Sequence, residues 1–292
     1  MTKRPDGKRV QGVDPFDRML PMILRKRYDA QNYIAYELPC EGMDAFIAQK
    51  RAEGKRYTYM QLVMAAGVRL LALRPKMNRF IMNGSIYAHN DISIAVSIKR
   101  TLRRDDEAET TVKLIFNGLE TLDEICQIID NAVKGVTQAK AETQTDQVAE
   151  VLTKVPDWLL RPVVSTLMFL DRHNRMPKAV IDASPWHSSV FFTNIKSLGL
   201  PHISHHLSDF GTAGLFFAMG KEYKKMIPTG ENTFKTKKVL PFGLVMDERI
   251  CDGLYLARSV QLLKKLVPTR NYWKHQRSNA CLTIFKKQIN FL

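Results

Sequence analysis

The chain has 292 residues, 45% of them hydrophobic and 25% charged, a balance suited to a soluble globular protein with one large core or two small ones. No apolar run reaches 18 residues and no apolar stretch follows the basic segment from Met1 to Arg9, so neither a spanning helix nor a secretory leader is expected. The net charge is +15, with seven Lys/Arg and no Asp/Glu in residues 264–292. Such a field either forms a solvated basic surface or attracts polyanions. No nucleic-acid partner is expected, because no recognised binding motif accompanies the charge. Cys40, Cys126, Cys251 and Cys281 lie far apart, which argues against a zinc site or a disulfide framework and for a cytoplasmic location.

Residues 1–14 are polar and basic and are expected to be disordered, 15–268 to form one domain, and 269–292 to be a basic tail. A short helix is predicted from Pro15 to Arg27, with Phe16, Met19, Leu20 and Ile23 on one face. A strand follows at Asn32–Leu38, then a helix from Met43 to Glu53 closed by Gly54. Thr58 should cap a second helix running to Leu73 and stopped by Pro75. Strands are predicted at Arg79–Met82, Ile86–Tyr87, Ile92–Ile98 and Thr111–Phe116, with Asn-Gly and His-Asn-Asp turns and an acidic loop at 105–109. A long helix should run from Thr121 to Lys140, followed by a polar linker at 141–146.

The segment Pro156–Leu170 is rich in apolar and aromatic residues, among them Trp158, Val164 and Phe169. Pro162 should kink or interrupt it. Burial is the first expectation, and a partner-docking or membrane-surface element is the alternative, which would make peripheral membrane contact. Strands at Ser189–Ile195, Leu215–Met219 and Val239–Met246 complete the set.

Residues 247–253 read Asp-Glu-Arg-Ile-Cys-Asp-Gly, between an apolar strand and a helical pattern. This segment resembles the H-x-x-x-D-G active-site motif of the chloramphenicol acetyltransferase and dihydrolipoyl acyltransferase superfamily, written DHRxxDG in the dihydrolipoyl branch. Residues 55–78 are similar to that family's helix ending in a Pro-x-x-Asn turn, here Pro75 to Asn78. Residues 192–199, Phe-Thr-Asn-Ile-Lys-Ser-Leu-Gly, resemble the F-T-I-S-N-L-G segment. The resemblance implies an α/β two-layer sandwich with a mixed β-sheet and helices on one face. It also implies a homotrimer with active sites between subunits, entered by coenzyme A or acyl-coenzyme A from one side and a small-molecule acyl acceptor or donor from the other. A stand-alone member is expected, without lipoyl attachment.

Glu248 occupies the position of the motif's histidine, the general base. Moving a proton from a thiol of pKa about 8.5 to a carboxylate of pKa about 4.3 is uphill by about 6 kcal/mol, roughly twice what a histidine faces. The expected function is therefore coenzyme A-dependent acyl transfer with altered catalysis, or else an inactive oligomeric scaffold that keeps the fold. Asp252 and Gly253 match the motif. The resemblance gives the aspartate a structural role against an arginine, with Arg18, Arg25 and Arg27 as candidates, while its position also suits a helix N-cap. Gly253 is expected to permit a backbone conformation or a close approach.

The family's oxyanion-stabilising serine falls on Lys196, with Ser197 adjacent and, on a strand, facing the other way. Lys196 of one subunit could pair with Glu248 of its neighbour. His202, His205 and His206 form a histidine cluster that follows closely. These histidines could supply a replacement base, ordinary polar interface residues or a metal site, although no Cys or carboxylate cluster supports a metal. Cys251 reads as a small buried filler.

Overall fold

The computed structural model describes residues 4–99, 109–138, 155–230 and 232–267. In chain order the elements are β1 (Gly7–Arg9), α1 (Pro15–Ile23), β2 (Gln31–Pro39), α2 (Glu41–Ala52), α3 (Tyr59–Leu73), β3 (Arg79–Met82), β4 (Ser85–His89), β5 (Ile92–Lys99) and β6 (Glu109–Phe116). Then come α4 (Leu122–Gln138), α5 (Asp157–Arg172), α6 (Lys178–Ala183), β7 (Val190–Asn194), β8 (Leu215–Met219), β9 (Tyr223–Gly230), β10 (Thr233–Asp247) and α7 (Gly253–Leu266). The linker at 141–146, the basic tail at 269–292 and the acidic loop at 105–108 lie outside the described residues.

The main sheet has seven strands in the order β2-β10-β8-β7-β5-β6, with β9 paired to β10. It is mixed: β5, β7 and β8 run parallel and the other pairs antiparallel. Alternate residues on each strand point to one large core. Ile94 and Val96 of β5, Phe192 of β7, Leu215 and Phe217 of β8, and Phe242 and Leu244 of β10 all pack there with α2, α3, α4 and α7. Helix α3 is buried almost throughout; Thr58 caps it as expected, and Gln61 completes a capping box by bonding back reciprocally. The fold class expected from the sequence, a mixed sheet layered with helices, is the one observed.

The other sheet face is covered locally by residues 200–211. Leu207 and Ile203 pack on Phe216, Ala218 and Val245. Two glycines allow this close approach. A Cβ on Gly220 would lie 0.9 Å from the Pro201 carbonyl oxygen, and one on Gly243 would lie 2.6 Å from that of Ile203. Residues 201–208 follow the sheet surface without regular strand pairing, so His202, Ser204 and His206 do not share a strand face.

The N-terminal segment is ordered where the sequence suggests disorder. Strand β1 pairs with β4 in a three-stranded sheet with β3. Arg4 is 4% exposed and donates to Asp6 Oδ1 at 2.8 Å, to Asp171 Oδ1 at 2.8 Å and to the Asp171 carbonyl at 2.8 Å. A partner 167 residues away in sequence outweighs the local polarity.

Helix α5 differs in the opposite sense. It runs through Pro162 and leaves Trp158 76% and Phe169 56% exposed, so it is not a core helix. Helix α1 likewise exposes Phe16, Met19, Met22 and Ile23. Among the described residues, no helix is long and apolar enough to cross a membrane.

Two outcomes follow from the buried charges. Arg4→Ala strips Asp171 of its cation and should cost about 3–5 kcal/mol in denaturant unfolding; a loss under about 1 kcal/mol would mean the N-terminal segment is not anchored by Arg4. Burial pushes His89 down to about 4 from 6.5. The unfolded chain therefore binds the extra proton between those values, and the stability that His89 contributes is complete above pH 6.5 and lost as pH falls to about 4. The loss is on the order of 3 kcal/mol. His89→Gln should flatten that limb of a stability-against-pH curve; an unchanged slope would contradict the burial argument.

Candidate active site

The turn carrying Glu248 is built on a buried ion cluster. Strand β10 ends at Asp247, which is fully buried. Its carboxylate takes two hydrogen bonds from the Arg249 guanidinium, Nε to Oδ1 and Nη2 to Oδ2, each at 2.7 Å. It also accepts the Arg249 backbone N–H at 3.2 Å, capping the short 3-10 turn Glu248–Ile250. Arg27 Nε lies 3.5 Å from Oδ2 on the other side. Arg249 Nη1 reaches the Leu24 carbonyl at 2.9 Å, and Arg27 reaches the carbonyls of Ser208 and Gly211. The end of α1, the loop 208–211 and the end of β10 are thereby tied to one carboxylate.

Glu248 itself is half-buried. Asn32 Nδ2 donates to its Oε2 at 3.0 Å, and among the described residues no hydrogen bond is recorded for Oε1. A carboxylate held by one oxygen and open at the other can accept a proton from a bound thiol or hydroxyl.

Asp252 takes the N-cap position and not the arginine-paired one. It is exposed, accepts the Tyr255 N–H at 2.8 Å and lies 3.8 Å from Lys76 Nζ. The Tyr255 bond holds its carboxyl below the usual range. Of the candidate arginines, Arg27 is committed to Asp247, and neither Arg18 nor Arg25 is recorded against Asp252. The reason is orientation: Asp252 opens an outward-facing helix, while Asp247 ends a buried strand. Gly253 has no positive φ, and a Cβ there would meet nothing within 4 Å, so the expected backbone or close-approach requirement is absent from this chain. Cys251 is buried against Met77 and Met246.

At the other end of the sheet, β7 stops at Asn194 and Lys196–Leu198 form a 3-10 turn closed by Gly199 at φ 76°. The alternation argument for Lys196 and Ser197 therefore does not apply, because neither is on a strand. Lys196 Nζ binds Glu222 Oε1 of its own chain at 2.8 Å and sits over the Tyr59 ring.

Ser197 lines a cavity of about 380 Å³ with Ser97, Thr193, Asn194 and His205, against walls that include Phe191 and Phe216. His205 stacks on Phe216 with ring centroids 4.2 Å apart, and on the exposed His206 at 4.4 Å. Its Nδ1 lies 2.8 Å from the His206 carbonyl oxygen. A carbonyl can only accept, so that contact is a hydrogen bond when Nδ1 carries the proton, which leaves Nε2 of the neutral ring as a base. His202 faces inward with a buried, unpartnered Nδ1.

The structure thus brings Ser197 and His205 together and keeps Glu248 apart from them. Strand β8 separates the two ends, with Leu215 beside Met246 and Met219 beside Asn194, about 13 Å of strand. Sequence reasoning overlooked Asp247, Arg249, Asn32 and Glu222. The Asp-x-Arg spacing flanking Glu248 was a usable signal for the first two. Nothing local marks the others.

Asp247→Ala leaves two guanidinium groups buried without their shared anion and should cost about 3–5 kcal/mol. Glu248→Ala, at a half-buried site with one hydrogen bond, should cost about 1 kcal/mol. Urea unfolding of both variants checks the pair; equal losses would mean that Asp247 is not the anchor.

No family model matches the chain, and no curated protein sequence does. Solved structures do. A probable dihydrolipoamide acetyltransferase from Listeria monocytogenes 4b F2365 superposes with a TM-score of 0.57 at 13% identity, covering 93% of this chain and 98% of that one. A chloramphenicol acetyltransferase gives 0.54 at 13% identity over 89% and 99% of the two chains. The cubic core of the pyruvate dehydrogenase multienzyme complex gives 0.50 at 12% identity over 94% of each. At such identities the likeness concerns architecture, and on that ground the chain has the chloramphenicol acetyltransferase-like fold shared with dihydrolipoamide acetyltransferase catalytic cores.

Proposed function

We propose that this chain transfers acyl groups to or from coenzyme A, with Glu248 in place of the histidine base of the 2-oxo-acid dehydrogenase acyltransferases. The observation that carries this reading is the state of Glu248: it is fixed through Asn32 and the Asp247–Arg249 clamp, with Oε1 open. In the forward step Oε1 takes the proton of the acceptor thiol or hydroxyl as its sulfur or oxygen attacks the thioester carbonyl. The tetrahedral oxyanion then collapses, expelling the coenzyme A thiolate, which recovers the proton.

The second half of the site is the cavity with Ser197 and His205, at the far end of the sheet. A single protomer cannot bring the halves together, so the reading requires a neighbouring copy, in a homotrimer. The architectural likeness to a pyruvate dehydrogenase complex core supports assembly. In this arrangement Ser197 donates to the oxyanion, and His205 Nε2 is the alternative base. Four dispersed cysteines, three of them free and buried, suit a cytoplasmic setting.

A specific observation favours a second reading, an inactive scaffold. Lys196, where the family's oxyanion donor falls, is engaged by Glu222 within its own chain and is not directed at a substrate.

Acetyl-coenzyme A with a dithiol acceptor separates the readings. The acyltransferase reading expects thiol release above background, a roughly 100-fold loss in Glu248→Ala and recovery in Glu248→His. Release surviving in Glu248→Ala but lost in His205→Ala moves the base to His205. Wild type at background rate, with a trimer in sedimentation equilibrium, leaves the scaffold.

A further inference from the structure

Two adjoining cavities run beside α1, of about 480 and 450 Å³. Both are lined by Met22, Asn83 and Gly84, so the two adjoin along helix α1 and the β3–β4 turn. Arg9 and Arg18 line the first cavity, with no carboxylate. Arg25, Lys26, Arg27, Arg172 and Arg249 line the second, and Asp209 is its one acidic wall residue.

The local charge is not balanced. Asp209 is paired with Lys26 at 3.3 Å, and Asp247, behind the wall, is shared by Arg27 and Arg249. Asp171 is held by Arg4 and lies 3.3 Å from His187 Nε2. Arg9, Arg18, Arg25 and Arg172 are exposed, with no carboxylate recorded against them among the described residues. Arg27 Nε is buried and has no hydrogen-bond acceptor. Burial lowers the Arg27 pKa and Arg249 adds to the lowering, against the opposing pull of Asp247, Asp209 and Asp171.

Gathering like charges in a concavity is unfavourable unless an anion offsets it. The cations are arginines with one lysine, the residue type whose planar fork engages two oxygens at once. Each cavity is sized for part of a small ligand. We infer that the groove between α1 and the β3–β4 turn binds a small anion bearing two or more phosphate groups, with Arg25 and Arg172 as its exposed contacts at one end and Arg9 and Arg18 at the other. This goes beyond acyl transfer, because the site would bind such an anion even if Glu248 were idle. Two sources share the chemistry. One is a soluble phosphate ester. The other is a lipid headgroup, presented where the exposed apolar residues Met19 and Ile23 of α1 could meet a bilayer.

The test is calorimetric titration of the full chain at low salt with pyrophosphate, then coenzyme A, then vesicles containing a phosphatidylinositol bisphosphate. Wild type should bind at least one probe, and Arg25→Glu with Arg172→Glu should weaken that binding at least tenfold. Lys224→Glu with Lys235→Glu, on the exposed β9–β10 hairpin, makes the same change in net charge and should leave binding within about twofold. Binding of pyrophosphate or coenzyme A identifies a soluble phosphate or phosphate ester, and binding of vesicles alone identifies a headgroup; either supports the site. If the charge-reversed groove pair does not fold, Arg25→Gln with Arg172→Gln carries the same comparison. Wild type that binds none of the probes, or a hairpin pair that weakens binding as much as the groove pair, overturns the inference.

Discussion

The structure around the candidate site depends on one buried carboxylate. Asp247 has no solvent contact, and it holds Arg249 through two charge-assisted hydrogen bonds with Arg27 close behind. An ion cluster at that depth contributes little net stability, because desolvation offsets most of the attraction. What it contributes is position. The guanidinium groups reach the Leu24, Ser208 and Gly211 carbonyls, so the end of α1 and the covering loop are fixed relative to the strand end. Glu248 is the next residue along, and its direction follows.

That constraint changes how the motif is understood. In the sequence, Asp252 looked like the aspartate that supports the loop. In the structure the supporting carboxylate is Asp247, and Asp252 only starts a helix. Glu248 puts a proton acceptor at the turn, and a carboxylate is a weaker match to a thiol than an imidazole is. Meanwhile the distant cavity holds a histidine whose Nδ1 contact leaves Nε2 available. Under the proposed function, Glu248 and His205 are candidate bases at opposite ends of the sheet, and a composite site between copies is the arrangement that would use both.

Much of the fold was legible because local chemistry decides it. Thr58 announces the start of α3, Pro75 its end, and Asn83-Gly84 the tight β3–β4 turn, where both residues adopt positive φ. Short continuous apolar runs marked β8 and the inner part of β10, and an apolar run interspersed with serines marked β5. The β9–β10 hairpin was missed because its outer half is exposed on both faces and carries lysines where a buried strand would show apolar residues. Arg4 was misread for a different reason: its partners Asp6 and Asp171 make a buried triad that only tertiary folding assembles. Helix α5 was misread because apolar content measures what a surface can bury and not whether anything covers it. At the site, the motif located Glu248, while Asn32 and Glu222 come from remote segments and left no local trace.

The account stands on Glu248 of one copy facing the Ser197–His205 cavity of the next. A crystal structure of the assembled chain soaked with coenzyme A tests this most directly. The predicted result is a trimer with the coenzyme A sulfur within hydrogen-bond reach of Glu248 Oε1, and with Ser197 and His205 of the neighbouring copy lining the same channel. A monomer with Glu248 open to solvent, or an assembly that buries the Ser197–His205 cavity away from every Glu248, would contradict it.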